Sequence, residues 1–122
     1  SDAAKFIKSS RKRFDLIIED IFIGTGRYLV KPEWLPRPGI ERMSRMLRHG
    51  GLLVSNSLDE NRAYAAEFRS HFNSRVRIEI KGWDNQVFIG SGTKISGRLL
   101  RTAARLSSAR HFTLSKLSFK SF

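Results

Sequence analysis

The run Phe14-Asp15-Leu16-Ile17-Ile18-Glu19-Asp20-Ile21-Phe22 is apolar at its centre and carries a carboxylate, Asp20, toward its end. At the C-terminal end of a strand in an open α/β sheet, such a carboxylate can sit in the ligand crevice. There it can orient an amine or stabilise positive charge; its plainer role is that of a loop-entry residue making turn hydrogen bonds. A second group with chemical potential is cationic. Arg98, Arg101 and Arg105 fall at i, i+3 and i+7, one stripe of a helix. This arrangement neutralises phosphates of RNA or another polyanion in a salt-dependent way, and equally makes a solvated helix face. Gly24-Thr25-Gly26 follows a strand pattern, but a Pro-rich stretch intervenes before the next helix and Leu29 holds the third glycine position. A phosphate loop needs the helix to open directly, so these glycines read as flexible substrate-side loop residues. His49, His71 and His111 lack metal-ligand spacing, and no G-x-S-x-G elbow positions a serine nucleophile.

Local signals define the elements that would position these groups. Residues 2–11 form a short amphipathic helix with Asp2 near its start, where a cap is expected. Residues 14–22 read as a strand covered on both faces, with Leu16, Ile18 and Asp20 on one side and Ile17, Glu19 and Ile21 on the other. Gly24 to Pro38 is a long connection in which Trp34 and the prolines make a packed loop. A helix from near Pro38 turns Ile40, Met43, Met46 and Leu47 inward and stops at His49-Gly50-Gly51, placing His49 at a helix C-terminus. Residues 52–56 form a second buried strand. Asp59 caps a helix over 60–72 whose buried side includes Ala63, Ala66 or Tyr64, Phe68 and Phe72. Residues 75–81 and 86–89 form an antiparallel hairpin about Gly82-Trp83-Asp84-Asn85. A basic helix near 96–107 and a tail carrying Phe112, Phe119 and Phe122 follow, and the tail is expected to fold back and bury its aromatics. Alternation of helix and strand predicts an α/β, three-layer Rossmann-like sheet ending in an antiparallel hairpin and a basic helix.

The chain has 122 residues, enough for one domain, and its 23 basic against 11 acidic residues give a net charge of +12. Zero cysteines exclude disulfides, thiol nucleophiles and Cys-ligated metals, and fit a reducing, cytoplasmic setting. No apolar run reaches the roughly 18 residues of a transmembrane helix.

Three blocks, taken together, resemble the C-terminal half of a spermidine synthase-like protein of the class I S-adenosylmethionine-dependent methyltransferase fold. They are Asp2-Ala3-Ala4-Lys5-Phe6-Ile7 with Arg13 to Asp20, Met46 to Asn56, and Asn85 to Gly90. The resemblance covers residues 2–90 and implies a partial S-adenosylmethionine-binding-fold domain over 1–92, with a basic helix and tail over 93–122. It implies a parent that transfers a methyl or aminopropyl group from S-adenosylmethionine or its decarboxylated form, and a chain that is incomplete and inactive alone. Asp2 falls where the family contacts adenine, and Asp20 on the strand-ending acid beside the substrate. Two features depart from the family. Aminopropyltransferases carry a second acid three positions after Asp20, followed by Pro, where this chain has Ile23 and Gly24. The first strands, with their glycine loop and ribose-binding acid, have no counterpart. The alternative reading is a non-catalytic basic module that keeps a remnant of the fold and binds RNA or another polyanion. With half the sheet missing, the 14–22 strand is expected to pair with that half or with a second copy.

Overall fold

The computed structural model describes residues 2–107 and 114–122. Arg110, His111 and Phe112 lie outside the described residues. The elements are α1 (Ala3–Ser9), β1 (Phe14–Glu19), β2 (Ile23–Thr25), β3 (Tyr28–Val30), α2 (Gly39–Arg45), β4 (Leu47–Ser57), α3 (Asn61–His71), β5 (Ser74–Ile80), β6 (Gln86–Ser91), α4 (Gly97–Leu106) and β7 (Leu117–Ser121). Five strands form one mixed sheet in the order β1-β4-β6-β5-β7, and β2 and β3 form a separate hairpin. β1 runs parallel to β4, and β6 lies antiparallel between β4 and β5. The chain is therefore α/β, with the hairpin of β5 and β6 inserted so that its second strand sits inside the sheet.

Strand alternation divides the side chains between two faces. On one face, Ile17 and Ile21 flank Glu19 and pack toward Leu53, Phe88, Ile40, Met43, Tyr64, Phe68 and Phe72. An aromatic series runs through this core: Tyr64 lies 6.0 Å from Phe88, Phe68 lies 5.6 Å from Phe88 and 5.1 Å from Phe72, and Phe122 meets Phe88 edge-on at 5.7 Å. The other face is covered where α4 lies on β5 and β7, so Val76 is fully buried there. Toward β1 that face is open, with Leu16 50% and Ile18 69% exposed. β1 is therefore covered on one face rather than both, and among the described residues it is an edge strand of the sheet.

Several local expectations are corrected. β1 ends at Glu19, so Asp20 lies just beyond the strand. The Gly24–Pro38 connection contains the β2–β3 hairpin, in which Gly26 at φ 61° opens a two-residue turn between Thr25 and Tyr28. Glycine first in a two-residue loop suits a twisted hairpin, and Gly24, at φ 117°, pairs with Leu29 within β2, so both glycines belong to the hairpin rather than to an open loop. α2 stops at Arg45 because the Met46 carbonyl accepts the Phe14 N–H at 2.8 Å, and β4 starts at Leu47. His49, Gly50 and Gly51 therefore lie within β4, and His49 is not at a helix terminus. The position before α3 is Glu60, with no side-chain cap; Asp59 does not cap it. The buried side of α3 is Tyr64, Ala65 and Phe68, with Phe72 just beyond, whereas Ala63 and Ala66 are exposed. The tail does fold back: β7 pairs with β5, and Phe119 and Phe122 are half-buried.

Two contacts make the sheet testable. A Cβ at Gly90 would lie 2.4 Å from the buried Phe72 ring. Gly90→Ala is expected to cost about 1–3 kcal/mol through overpacking, partly recovered in Gly90→Ala/Phe72→Leu, as read by denaturant unfolding. At the β5–β7 seam, the Lys120 ammonium donates to Glu79 at 2.7 Å, and Arg77 lies 2.9 Å from the same carboxylate. The Lys120 hydrogen bond, opposed by desolvation and helped by the two positive charges, holds the Glu79 carboxyl below its usual 4.5. Since the folded value is depressed, the stabilisation is present above that usual value and is lost as pH falls through the folded value. The melting temperature of the wild-type chain should therefore fall more steeply on acidification than that of Glu79→Gln.

Candidate functional site

The C-terminal ends of β1 and β4 lie side by side, as their parallel register of Ile18 with Val54 and Glu19 with Ser55 requires. Asp20 and Asn56 follow on and meet there: the Asn56 side-chain amide donates to Asp20 at 3.0 Å. Asn85, in the turn between β5 and β6, donates to the Asn56 side-chain oxygen at 3.4 Å. Asn61, at the start of α3, donates to the Asp84 carbonyl at 3.0 Å and accepts from the Ser57 hydroxyl. The result is a polar rim joining both parallel strand ends to the β5–β6 turn. Asp20 is exposed and accepts this hydrogen bond through one carboxylate oxygen, Oδ1.

Beneath this rim lies a group that sequence reading did not single out as functional. Glu19 is 2% exposed, and its carboxylate accepts from the Ile21 N–H at 2.7 Å, the Lys31 ammonium at 2.7 Å and the Tyr64 hydroxyl at 3.0 Å. Lys31 is itself buried, with its ammonium 3.9 Å from the centre of the Phe22 ring and 5.5 Å from that of Tyr64. Burial and the adjacent Glu19 carboxylate push the Tyr64 phenol far above its ordinary range, so it stays a donor. This ion pair ties the segment after the β2–β3 hairpin to the strand end that carries Asp20. The available signal was an acid in the inward register of an apolar strand, which must find partners.

Asp2 lies at the N-terminus of α1, where its carboxylate accepts the Ala4 N–H at 2.9 Å, a helix cap. Among the described residues, no hydrogen bond or ion pair joins Asp2 to Asp20. Ala3 of α1 does line the same apolar groove as Glu19 and Ile21, so α1 begins near the end of the sheet where Asp20 lies. Arg98, Arg101 and Arg105 share α4, well along the sheet from Asp20. Arg101 donates to the Leu117 carbonyl at 3.0 Å and lies over the Phe119 ring at 6.0 Å, so part of this stripe fastens α4 to β7. Ile23, where a second acid would stand, is 50% exposed in β2.

A cleft of about 730 Å³ adjoins the rim, lined by residues including Asp59, Asn61, Glu79, Trp83, Asp84 and Lys116. Glu79 is engaged by Lys120 and Arg77, leaving Asp59 and Asp84 as its carboxylates without an ion pair among the described residues.

No protein-family profile and no curated protein sequence matches the chain. In three dimensions it is similar to the crystal structure of a probable spermidine synthase from Corynebacterium glutamicum ATCC 13032, with a TM-score of 0.72 and 23% identity. The match covers 98% of this chain and 46% of that one. The chain has part of a spermidine synthase-like fold, and it spans less than half the length of that relative.

Removing one member of the buried ion pair should show what holds the strand end. Glu19→Gln leaves the Lys31 ammonium buried without its counter-charge and is expected to cost about 3–5 kcal/mol. Tyr64→Phe removes one donor to that carboxylate and should cost about 1–3 kcal/mol. The paired replacement Glu19→Leu/Lys31→Met should restore much of the loss, measured by urea unfolding.

Proposed function

We propose that this chain is the acceptor-side half of an alkyl-transfer site of the class I methyltransferase type, acting on S-adenosylmethionine or its decarboxylated form. In this reading the sheet is the C-terminal half of a three-layer Rossmann-like domain, and a second half-sheet joins it along the open edge of β1. The observation that carries the reading is the Asp20–Asn56 hydrogen bond across the ends of two adjacent parallel strands. It lies in a sheet whose antiparallel β6 is inserted as in part of the spermidine synthase-like fold.

The residues present fit the cationic side of such a ligand. Asn56 holds the Asp20 carboxylate in place, and that carboxylate supplies negative charge to a sulfonium or ammonium group. The nucleoside's ribose side needs a glycine loop opening into a helix. β1 is followed by a hairpin and β4 by Leu58-Asp59-Glu60, so neither supplies that loop among the described residues. Ile23 gives no carboxylate for deprotonating an amine, which favours an acceptor activated by another group.

For the isolated 122-residue chain, titration calorimetry is expected to register no binding of S-adenosylmethionine or its decarboxylated form in the micromolar range. Micromolar affinity would contradict the two-half reading. In the natural protein carrying this chain, Asp20→Ala should lower turnover roughly 100-fold, as loss of one preorganised electrostatic group does, with little change in melting temperature. A matching loss of stability and turnover would make Asp20 a structural residue.

A further inference from the structure

The end of the sheet opposite Asp20 carries a different kind of surface. α1, the segment joining it to β1, and α2 together enclose an open cleft of about 480 Å³ lined by Ile7, Lys8, Ser10, Arg11, Lys12, Arg13, Arg42, Arg45 and Met46. Six of these nine residues are cationic and none is acidic. They come from separate segments: Lys8 from the last turn of α1, Arg11 to Arg13 from the connection, and Arg42 and Arg45 from the last turn of α2. Only Arg45 has an ion-pair partner among the described residues, Glu41.

Helix dipoles account for a small part of this charge. α1 and α2 both end at the cleft, and each C-terminus carries about half a negative charge. Together they offset one of the five cations that lack an acidic partner, and about four remain concentrated in a concave site. Such a concentration focuses a positive field and raises the local concentration of anions. A single phosphate would be satisfied by two or three of these groups, so six cations spread along one cleft suit a chain of phosphates. A flat anionic bilayer would reach only the rim, and the apolar walls, Ile7 and Met46, are half-buried and buried rather than projecting for insertion.

We propose that this cleft binds the phosphate backbone of a single-stranded nucleic acid. Binding is predominantly electrostatic, through contacts of Lys and Arg to phosphates, and none of the lining residues is an aromatic on which bases would stack. The site is separate from the rim at Asp20: β1 alone sets the two apart by roughly 20 Å. The two sites share no lining residue, so a ligand at one does not compete for the groups of the other. The cleft also differs from the α4 stripe, where Arg101 is engaged with the Leu117 carbonyl.

The test is fluorescence anisotropy with labelled twelve-nucleotide oligouridine and oligothymidine across a range of potassium chloride concentrations. The triple variant Arg11→Ser/Arg13→Ser/Arg42→Ser should bind at least tenfold more weakly at low salt. Its log–log salt slope should be about 2 units shallower, near 0.7 per lost single-strand phosphate contact. The Arg-to-Lys triple at the same positions should retain most of the affinity, which separates charge from misfolding. Asp20→Ala should bind both probes as the wild type does. Unchanged affinity and slope in the serine triple would overturn the proposal. So would transfer of the loss to Arg98→Ser/Arg101→Ser/Arg105→Ser, or a serine triple that loses only its binding to phosphatidylserine vesicles.

Discussion

A carboxylate with almost none of its surface in water costs several kcal/mol unless cations and donors meet it, a sum comparable with the net stability of a small domain. β1 carries Glu19 into that position, and much of the local architecture answers it. Lys31 must come in from the segment after the β2–β3 hairpin, and Tyr64 must point its hydroxyl from α3. The backbone must turn at once so that the Ile21 N–H also donates. One buried charge thus fixes where the strand ends, how the hairpin sits and how α3 is rotated. The rim bearing Asp20 inherits its position from these three constraints.

The parts of the fold that were legible in the sequence are those written as local periodicity. The alternating residues of β5 and the apolar run of β1 each specify a strand within a few positions. Ser96 identifies the start of α4, where its side chain accepts the Leu99 N–H. What could not be read depends on partners distant in sequence. β4 begins at Leu47, through a glycine pair that looks like a helix stop, because Phe14 pairs with Leu47. β7 is a strand because β5 offers it an edge, although its own composition is polar and aromatic. The sequence leaves Ala66 and Tyr64 as alternatives on the buried side of α3; the choice of Tyr64 goes with its hydrogen bond to Glu19, which lies 45 positions away.

The same distinction applies to the sites. Asp20 stands out in the sequence through the resemblance and its place after an apolar strand, and in the structure Asn56 lies beside it. Asn56, Asn61 and Asn85 carry no sequence signal of their own, since amides are common in turns; their meeting is a product of the sheet order. The basic cleft is similar. Its N-terminal cations form an obvious charge cluster, but Arg42 and Arg45 join it only because α2 ends beside α1. The regular spacing of Arg98, Arg101 and Arg105 does place them on one helix, α4, and what it does not show is that Arg101 also fastens that helix to β7.

The inserted position of β6 also bears on how the chain reaches this structure. β5 and β6 are joined by a short turn and pair from Glu79–Gln86 onward, so they can close as a local hairpin within microseconds. The other long seam, from Leu52–Ser91 to Ser57–Gln86, joins residues 29 to 39 positions apart and encloses α3. That contact is non-local, and its loop-closure entropy must be met before its hydrogen bonds and buried side chains repay it. During synthesis from the N-terminus, β4 leaves the ribosome well before the strand that will cover its free edge. Vectorial assembly therefore exposes a parallel pair with an unpaired side until the hairpin arrives, and the joining of those two pieces is the step at which the sheet becomes one cooperative unit.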